Sequence, residues 1–382
     1  MEELARFLEQ RKEERLLRRL SPLAWRAPAR AATGDQEYID FSSNDYLGLS
    51  AHPALIRAAQ DALVKYGVGA GASRLMSGDL DIHHALEEAV AAFKGAEAAL
   101  VFNSGYQANT GLLPALVDRH DVIFADSLSH ASLLDGAVLS RAKLIRFRHN
   151  DMDHLADLLH EQRASYTRAL LVTESVFSMD GDRAPLRELV ALKERYHCRL
   201  LVDEAHATGI FGPQGRGCVE ADGLTGQVEF VMGTFSKALG GFGAFLASTQ
   251  LVKDYLVNAA RSFIYSTALP PAIIAANLAA LQVCRDEPSL GKKLLLKADR
   301  FRKALQREKW KTGGESQIIP VLVGESARAL ALSAKLAECG FRVLAVRPPT
   351  VPEGQARLRF SLCSAHNSTH LIKVLEALND LR

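Results

Sequence analysis

The sequence predicts an α/β protein with a large domain on a mostly parallel seven-stranded sheet and a small α+β domain at the C-terminus. Three observations carry this expectation. From about residue 52 to 285, short continuous apolar runs alternate with helix-period stretches, as in a parallel sheet covered by helices. A polar stretch with Pro288 and Gly291 (RDEPSLG, 285–291) then breaks the pattern. Beyond it, ARLRFSL (356–362) strictly alternates apolar and polar residues, which predicts a half-exposed antiparallel strand.

The seven runs are Ala99–Phe102, Val122–Ala125, Leu144–Phe147, Leu170–Thr173, Leu200–Val202, Phe230–Met232 and Ala244–Ala247. Each is short, unbroken and flanked by polar residues or glycine, as strands buried on both faces are. Segments such as Leu186–Tyr196 have helix periodicity. Ile318–Val323, Arg342–Val346 and Ala356–Leu362 are the strands of the small domain. The resulting division is an N-terminal arm (1–51), a large domain (52–287) and a small domain (288–382). In the arm, Leu4, Phe7, Leu8, Leu16, Leu17 and Leu20 fit one face of a helix that docks on the protein's own body or on a second subunit. The arm has no apolar segment of the secretory type.

The chain has 382 residues, enough for a large core without disulfide or metal staples. A net charge of +2 gives no electrostatic footprint for nucleic acid. Mean hydropathy is −0.00, and no apolar stretch reaches the length of a membrane span. The five cysteines, Cys198, Cys218, Cys284, Cys339 and Cys363, are scattered and odd in number. They read as small buried hydrophobes in a reducing, cytoplasmic setting.

Ligands of open α/β sheets bind at the carboxyl ends of the strands, so the residues after each run are the candidates. Leu200–Val202 leads into Asp203, Glu204, Ala205 and His206. Asp203 is either a helix cap or a ligand group, and His206 is close enough to address the same ligand. Phe230–Met232 leads into Gly233, Thr234, Phe235, Ser236 and Lys237, then Gly240 and Gly241. A carboxylate and a lysine at neighbouring strand ends suit pyridoxal 5′-phosphate (PLP). The amine condenses with the aldehyde, and the carboxylate keeps the ring nitrogen protonated. A histidine nearby suits the phenolic oxygen. After Phe102, Ser104 or Gly105 opens a helix, either as a phosphate site or as a plain cap. His130 either lies flat on the ring or caps a helix. Ser178 either reaches the cofactor or makes a turn.

GVGAGA (67–72) resembles a dinucleotide fingerprint but follows a helical stretch, which argues against that use. His83 and His84 lack metal-ligand spacing, and no metal site is expected.

TFSKALGG (234–241), DEAHATG (203–209), ESVFSMDGD (174–182) and SLSHASLLDG (127–136) together resemble the α-oxoamine synthases. FSSNDYLGLS (41–50), GAGASRLMSG (69–78) and IYSTALPP (264–271) agree, and the motifs run in order from about residue 15 to the end. Ala207 and Ala72 stand where the family often has glycine. The resemblance implies a PLP-dependent transferase of fold type I, like aspartate aminotransferase, acting as a homodimer with sites at the interface. It implies that Lys237 bonds covalently to the cofactor, that Asp203 pairs with its ring nitrogen, and that His206 pairs with its phenolic oxygen. His130 stacks on the ring. Ser104, Gly105, Tyr106, Ser178 and Thr234 contact the cofactor, and Ser266 and Thr267 reach the phosphate from the other subunit. Arg359 takes the amino-acid carboxylate, helped by Asn44, through the planar fork of its guanidinium. Arg18 and Thr350 match acyl-substrate positions; Arg19 adjoins Arg18. Within the family, FSMDGDRAPL (177–186) and AVRPPTVPEG…ARLRFSL (345–362) most resemble the biotin-biosynthesis branch. That branch condenses L-alanine with a pimeloyl thioester and releases CO2 and the thiol carrier. Relatives use glycine with acetyl-CoA or succinyl-CoA, or serine with palmitoyl-CoA.

Overall fold

A computed structural model describes residues 1–14 and 16–382. They form two compact units: Leu49–Ser178 with Arg183–Lys292, and Met1–Gly48 with Met179–Asp182 and Lys293–Arg382. Strands β1 (Trp25–Ala27), β2 (Arg30–Thr33) and β3 (Gln36–Asp40) come first along the chain. Seven follow: β4 (Ala98–Phe102), β5 (Val122–Asp126), β6 (Lys143–Phe147), β7 (Ala169–Glu174), β8 (Arg199–Asp203), β9 (Phe230–Thr234) and β10 (Ala244–Ser248). The last are β11 (Ile318–Gly324), β12 (Phe341–Arg342), β13 (Leu344–Val346) and β14 (Ala356–Ser361).

The seven apolar runs become one sheet in the larger unit, ordered β4-β10-β9-β8-β7-β5-β6. Strands β5 to β9 are mutually parallel. Strand β10 runs antiparallel to both neighbours, β4 and β9. β5, β7 and β9 are buried along their whole length, whereas the edge strand β6 is buried only at Phe147. Helix Gly105–Leu116 buries Ala108, Leu112, Leu113 and Leu116. They join Leu133, Leu170, Leu201, Phe230 and Leu246 in one core cluster. Each such side chain contributes about 1.5–3 kcal/mol by burial. The polar ends of β5, β7, β8 and β9 then fall on one side of the sheet, because parallel strands finish together.

In the smaller unit, β3 pairs in parallel with β12, Ile39 against Phe341 and Asp40 against Arg342. The sequence reading sets residues 1–51 apart as an arm. Here β1, β2 and β3 share a sheet with a strand from the chain's C-terminal part. The second sheet is β11-β14-β13, antiparallel throughout. Phe41 stacks on His366 with ring centres 4.2 Å apart, and Phe301 and Phe360 surround it. Burial pushes His366 down to about 3, so it is a neutral core residue.

Three expectations are corrected. The N-terminal helix is Glu2–Glu13 and none of its residues is buried. Leu16, Leu17, Arg18 and Leu20 lie beyond it. Strand β14 is antiparallel but buried at every residue, not half-exposed. Its polar positions are held by partners: Arg357 pairs with Asp180, and Arg359 is treated below. Four of the cysteines are buried, but Cys339 is exposed, at the end of helix Ser326–Glu338. Among the described residues no helix is long and apolar enough to cross a membrane.

Candidate active site

Lys237 sits in the turn that reverses the chain between β9 and β10. That turn is tightly tied. The Gly241 amide donates to the Phe235 carbonyl, and the Phe235 amide donates to the Gly243 carbonyl. The Thr234 hydroxyl donates to the Gly243 carbonyl at 2.7 Å and accepts from the Ser236 amide at 3.1 Å. Gly240 has φ +66°, and a Cβ there would lie 2.3 Å from the Ser50 amide nitrogen, so only glycine fits. The Lys237 amine is thereby brought 2.7 Å from Nε2 of His206.

Asp203 ends β8, beside Glu174 at the end of β7 in direct register. Asp203 is buried, and donors meet both of its oxygens. The Ala205 amide reaches Oδ1 at 2.9 Å and the Asn109 amide Nδ2 reaches Oδ2 at 3.0 Å. Both carboxyl oxygens are thus satisfied although the group is buried. The next residue, Glu204, is unrelated to this site: it pairs with buried Lys94 and accepts the Val219 amide.

Asn109 is fully buried on helix Gly105–Leu116, and its second Nδ2 proton goes to the Ser132 hydroxyl at 3.0 Å. Ser132 in turn lies 2.8 Å from Nδ1 of His130, which also accepts the Ser132 amide. An amide only donates, so Nδ1 carries the lone pair and the imidazole proton sits on Nε2. Burial lowers the His130 pKa, and Lys237 adds to the effect while Asp203 opposes it. His130 is therefore neutral at physiological pH, and it is also the N-cap of helix Ala131–Ser140. The close approach of that helix depends on Gly136, where a Cβ would stand 2.6 Å from the Asn109 carbonyl oxygen.

Ser104 caps helix Gly105–Leu116 by accepting the Gln107 amide at 3.1 Å. The amides of Gly105 and Tyr106 open that helix, where N–H groups have no intrahelical acceptor. The Tyr106 hydroxyl bonds to Asp135, and its ring stands edge-on to His130 at 6.4 Å. Ser266 accepts from Gln107, and the Thr267 carbonyl accepts from Asn103 at 2.8 Å. Both residues thus lie against the loop after β4 of their own chain. Ser178 is half-buried in the turn after β7.

In the smaller unit, Arg359 is buried on β14. It donates to Ser361 Oγ at 2.6 Å, to Asn44 Oδ1 at 3.3 and 3.4 Å, and to the Tyr46 hydroxyl at 3.4 Å. Burial raises the Tyr46 pKa against the pull of Arg359, so the hydroxyl stays neutral. Ser361, Asn44 and Tyr46 thus hold the planar Arg359 guanidinium in one orientation. Arg18 donates to Thr350 Oγ1 at 3.3 Å, joining two of the positions expected for the acyl substrate across 332 residues of sequence.

Sequence reasoning missed Asn109, Ser132, Glu174, Tyr46 and Ser361, although the last four stand inside quoted motifs. For Glu174 the signal was present: a carboxyl at the end of a fully apolar run. The larger unit's donor set fits PLP. It holds an amine, a buried carboxyl with donors at both oxygens, a neutral histidine and a helix start with available amides. The Oδ1 atom of Asn109 is also buried without a partner. No group of three or more potential metal ligands occurs among the described residues.

Residues 36–378 match the family Aminotransferase class I and II, and the chain belongs to it. Within that family its relatives are α-oxoamine synthases. It is 49% identical over 379 residues to 8-amino-7-oxononanoate synthase of Geobacter sulfurreducens, covering 98% of this chain and 96% of the relative. The solved 8-amino-7-oxononanoate synthase from Francisella tularensis is 32% identical, with a TM-score of 0.79, over 90% of this chain and 97% of the other. A serine palmitoyltransferase from S. paucimobilis, solved with bound PLP, is 31% identical with a TM-score of 0.93, over 99% of this chain and 96% of the other.

Proposed function

We propose that the chain is an 8-amino-7-oxononanoate synthase: it condenses L-alanine with a pimeloyl thioester, carried on CoA or a carrier protein, and releases CO2 and free thiol. The observation that carries this reading is Lys237 at 2.7 Å from His206, with the buried Asp203 carboxyl, met by donors at both oxygens, at the neighbouring strand end. It is supported by near full-length identity to synthases of that name. When bound, PLP supplies an aldehyde for amines and a ring that accepts electrons from Cα.

The chain's own residues then divide the work. Lys237 would hold the cofactor covalently, and its free amine would be placed to take the Cα proton of alanine. Asp203, which accepts from Asn109 and Ala205, would pair with the ring nitrogen. His206 would reach the phenolic oxygen. Neutral His130 would face the ring and present its Nε2 proton to the thioester carbonyl oxygen, where negative charge develops. Gly105, Tyr106, Ser104, Thr234 and Ser178 line the cofactor, with Ser266 and Thr267 of a second copy at the phosphate. Arg359, with Asn44, takes the alanine carboxylate. Arg18 and Thr350 take the acyl chain. The reading includes a homodimer and a cytoplasmic setting, which suits five free thiols.

The test is a matrix of amino acids against acyl thioesters, read by CO2 and thiol release. L-Alanine with pimeloyl thioester is expected to be fastest. Glycine with acetyl-CoA as the fastest pair would instead make the protein a glycine C-acetyltransferase.

A further inference from the structure

We propose that Glu174 is a positioning residue that carries a proton while Asp203 beside it carries the charge. Two carboxyl groups stand at the ends of adjacent parallel strands, Glu174 opposite Asp203 in register. Adjacent strands are about 4.8 Å apart, and two like charges that close in a buried site do not both persist. The hydrogen bonds decide which group keeps the proton. Both oxygens of Asp203 accept bonds from donors, at 2.9 and 3.0 Å. Glu174 is as deeply buried, but its Oε1 has no partner, and its one donor is the His130 backbone amide. An ionised carboxylate in that position leaves a buried charge unmet, whereas a protonated one does not.

Of the charged groups facing Glu174, Asp203 and Asp126 favour the neutral form and Lys237 opposes it. Burial dominates, followed by Asp203, and together they raise the Glu174 pKa to about 8. Protonated Glu174 does two things. It keeps a second negative charge from joining Asp203 near Lys237. By accepting the His130 amide it also fixes the residue that starts helix Ala131–Ser140. Ionised Glu174 puts a second negative charge near Lys237, stabilises the ammonium form of the lysine and removes it as a base.

The inference rests on the proposed roles of Lys237 and Asp203, so one of its readouts is independent of catalysis. A folded-state pKa above the unfolded value means that folded protein binds the extra proton. Stability is therefore full below the unfolded pKa, about 4.3, and falls as pH rises towards the folded one. The full chain without added cofactor is expected to lose melting temperature between about pH 5 and pH 9, and Glu174→Gln to lose clearly less. In the loaded enzyme, kcat is expected to fall above about pH 8, and Glu174→Gln to remove that alkaline fall. Glutamine mimics the protonated acid, so rescue by glutamine but not by alanine separates a held proton from simple packing. If Glu174→Gln does not fold, infrared spectroscopy of the wild type decides. A protonated-carboxyl band present at neutral pH and lost on alkalinisation supports the proposal. Its absence at neutral pH overturns it, as does an unchanged alkaline limb in a folded Glu174→Gln. Failure of borohydride to trap PLP on Lys237, with the stability shift intact, would sink the functional reading and leave the proton on Glu174.

Discussion

The large sheet and strand β14 treat polar residues in opposite ways. In the large sheet the strand interiors are apolar and the chemistry is confined to their ends: Glu174 on β7, Asp203 on β8 and Thr234 on β9. In β14 the chemistry lies within the strand, where Arg357 and Arg359 are both buried. A parallel sheet has a ready-made site because its strand ends converge. An antiparallel strand has no such end, so a cation must be buried mid-strand and satisfied there. Arg357 is satisfied by Asp180 and by the carbonyls of Gln355 and Met179, whereas Arg359 donates to Ser361, Asn44 and Tyr46. Two arginines of one strand thus face different surroundings, and the proposed carboxylate-binding role falls to Arg359.

Substitutions at the strand ends are expected to have the largest effects. Lys237→Ala should stay folded and lose turnover by at least about 10³-fold, since it removes both the covalent anchor and the base. Borohydride reduction followed by peptide mapping should label Lys237 in the wild type; a label on another lysine refutes the assignment. Asp203→Asn should keep weak cofactor binding and lose most Cα deprotonation, because an amide holds a ring-nitrogen proton far less well. Exchange of the alanine α-proton in heavy water measures this directly, and near-normal exchange would refute the role.

The two arginines of β14 sharpen the contrast. Arg359→Met should raise the KM for alanine tenfold to about a hundredfold, the worth of a charged hydrogen-bond pair of about 1.5–3 kcal/mol. Arg357→Met should leave that KM alone and cost about 1–3 kcal/mol of stability through Asp180. Equal effects of the two on KM would erase the distinction. The smallest effect is expected at the Arg18–Thr350 pair. Its bond is long and exposed, so Arg18→Ala should raise the pimeloyl-thioester KM only several-fold, by about 1 kcal/mol, with the alanine KM unchanged.

These contrasts also explain what the sequence disclosed. Six of the seven strands were legible because strands buried over nearly their whole length read as apolar runs; the edge strand β6 was read the same way although only Phe147 is buried. Lys237, Asp203 and His206 were legible because a strand end is a position along the chain. Asn109, Ser132, Tyr46 and Ser361 act through partners distant in sequence, and no local pattern reports that Asn109 bridges Asp203 and Ser132. Strands β1 to β3 are short and mostly exposed, so they lack a periodic signature. ARLRFSL misled because alternation signals a wet face only when the polar residues have no internal partners. The N-terminal helix was drawn too long for a different reason. Its apolar spacing continues past Glu13, but no core residue is buried there to reward further turns.

Gly136 touches neither cofactor nor substrate in the proposed scheme. A methyl group there would push on the carbonyl of Asn109, and through that residue on Asp203 and, by way of Ser132, on His130. A mutational scan ranked by lost turnover would therefore score Gly136 among the chemical residues, though its side chain is a hydrogen atom. Engineering that reshapes substrate choice from within helix Ala131–Ser140 must treat that position as fixed. The freedom to redesign lies on the helix's outer face, where Val138 and Leu139 are exposed.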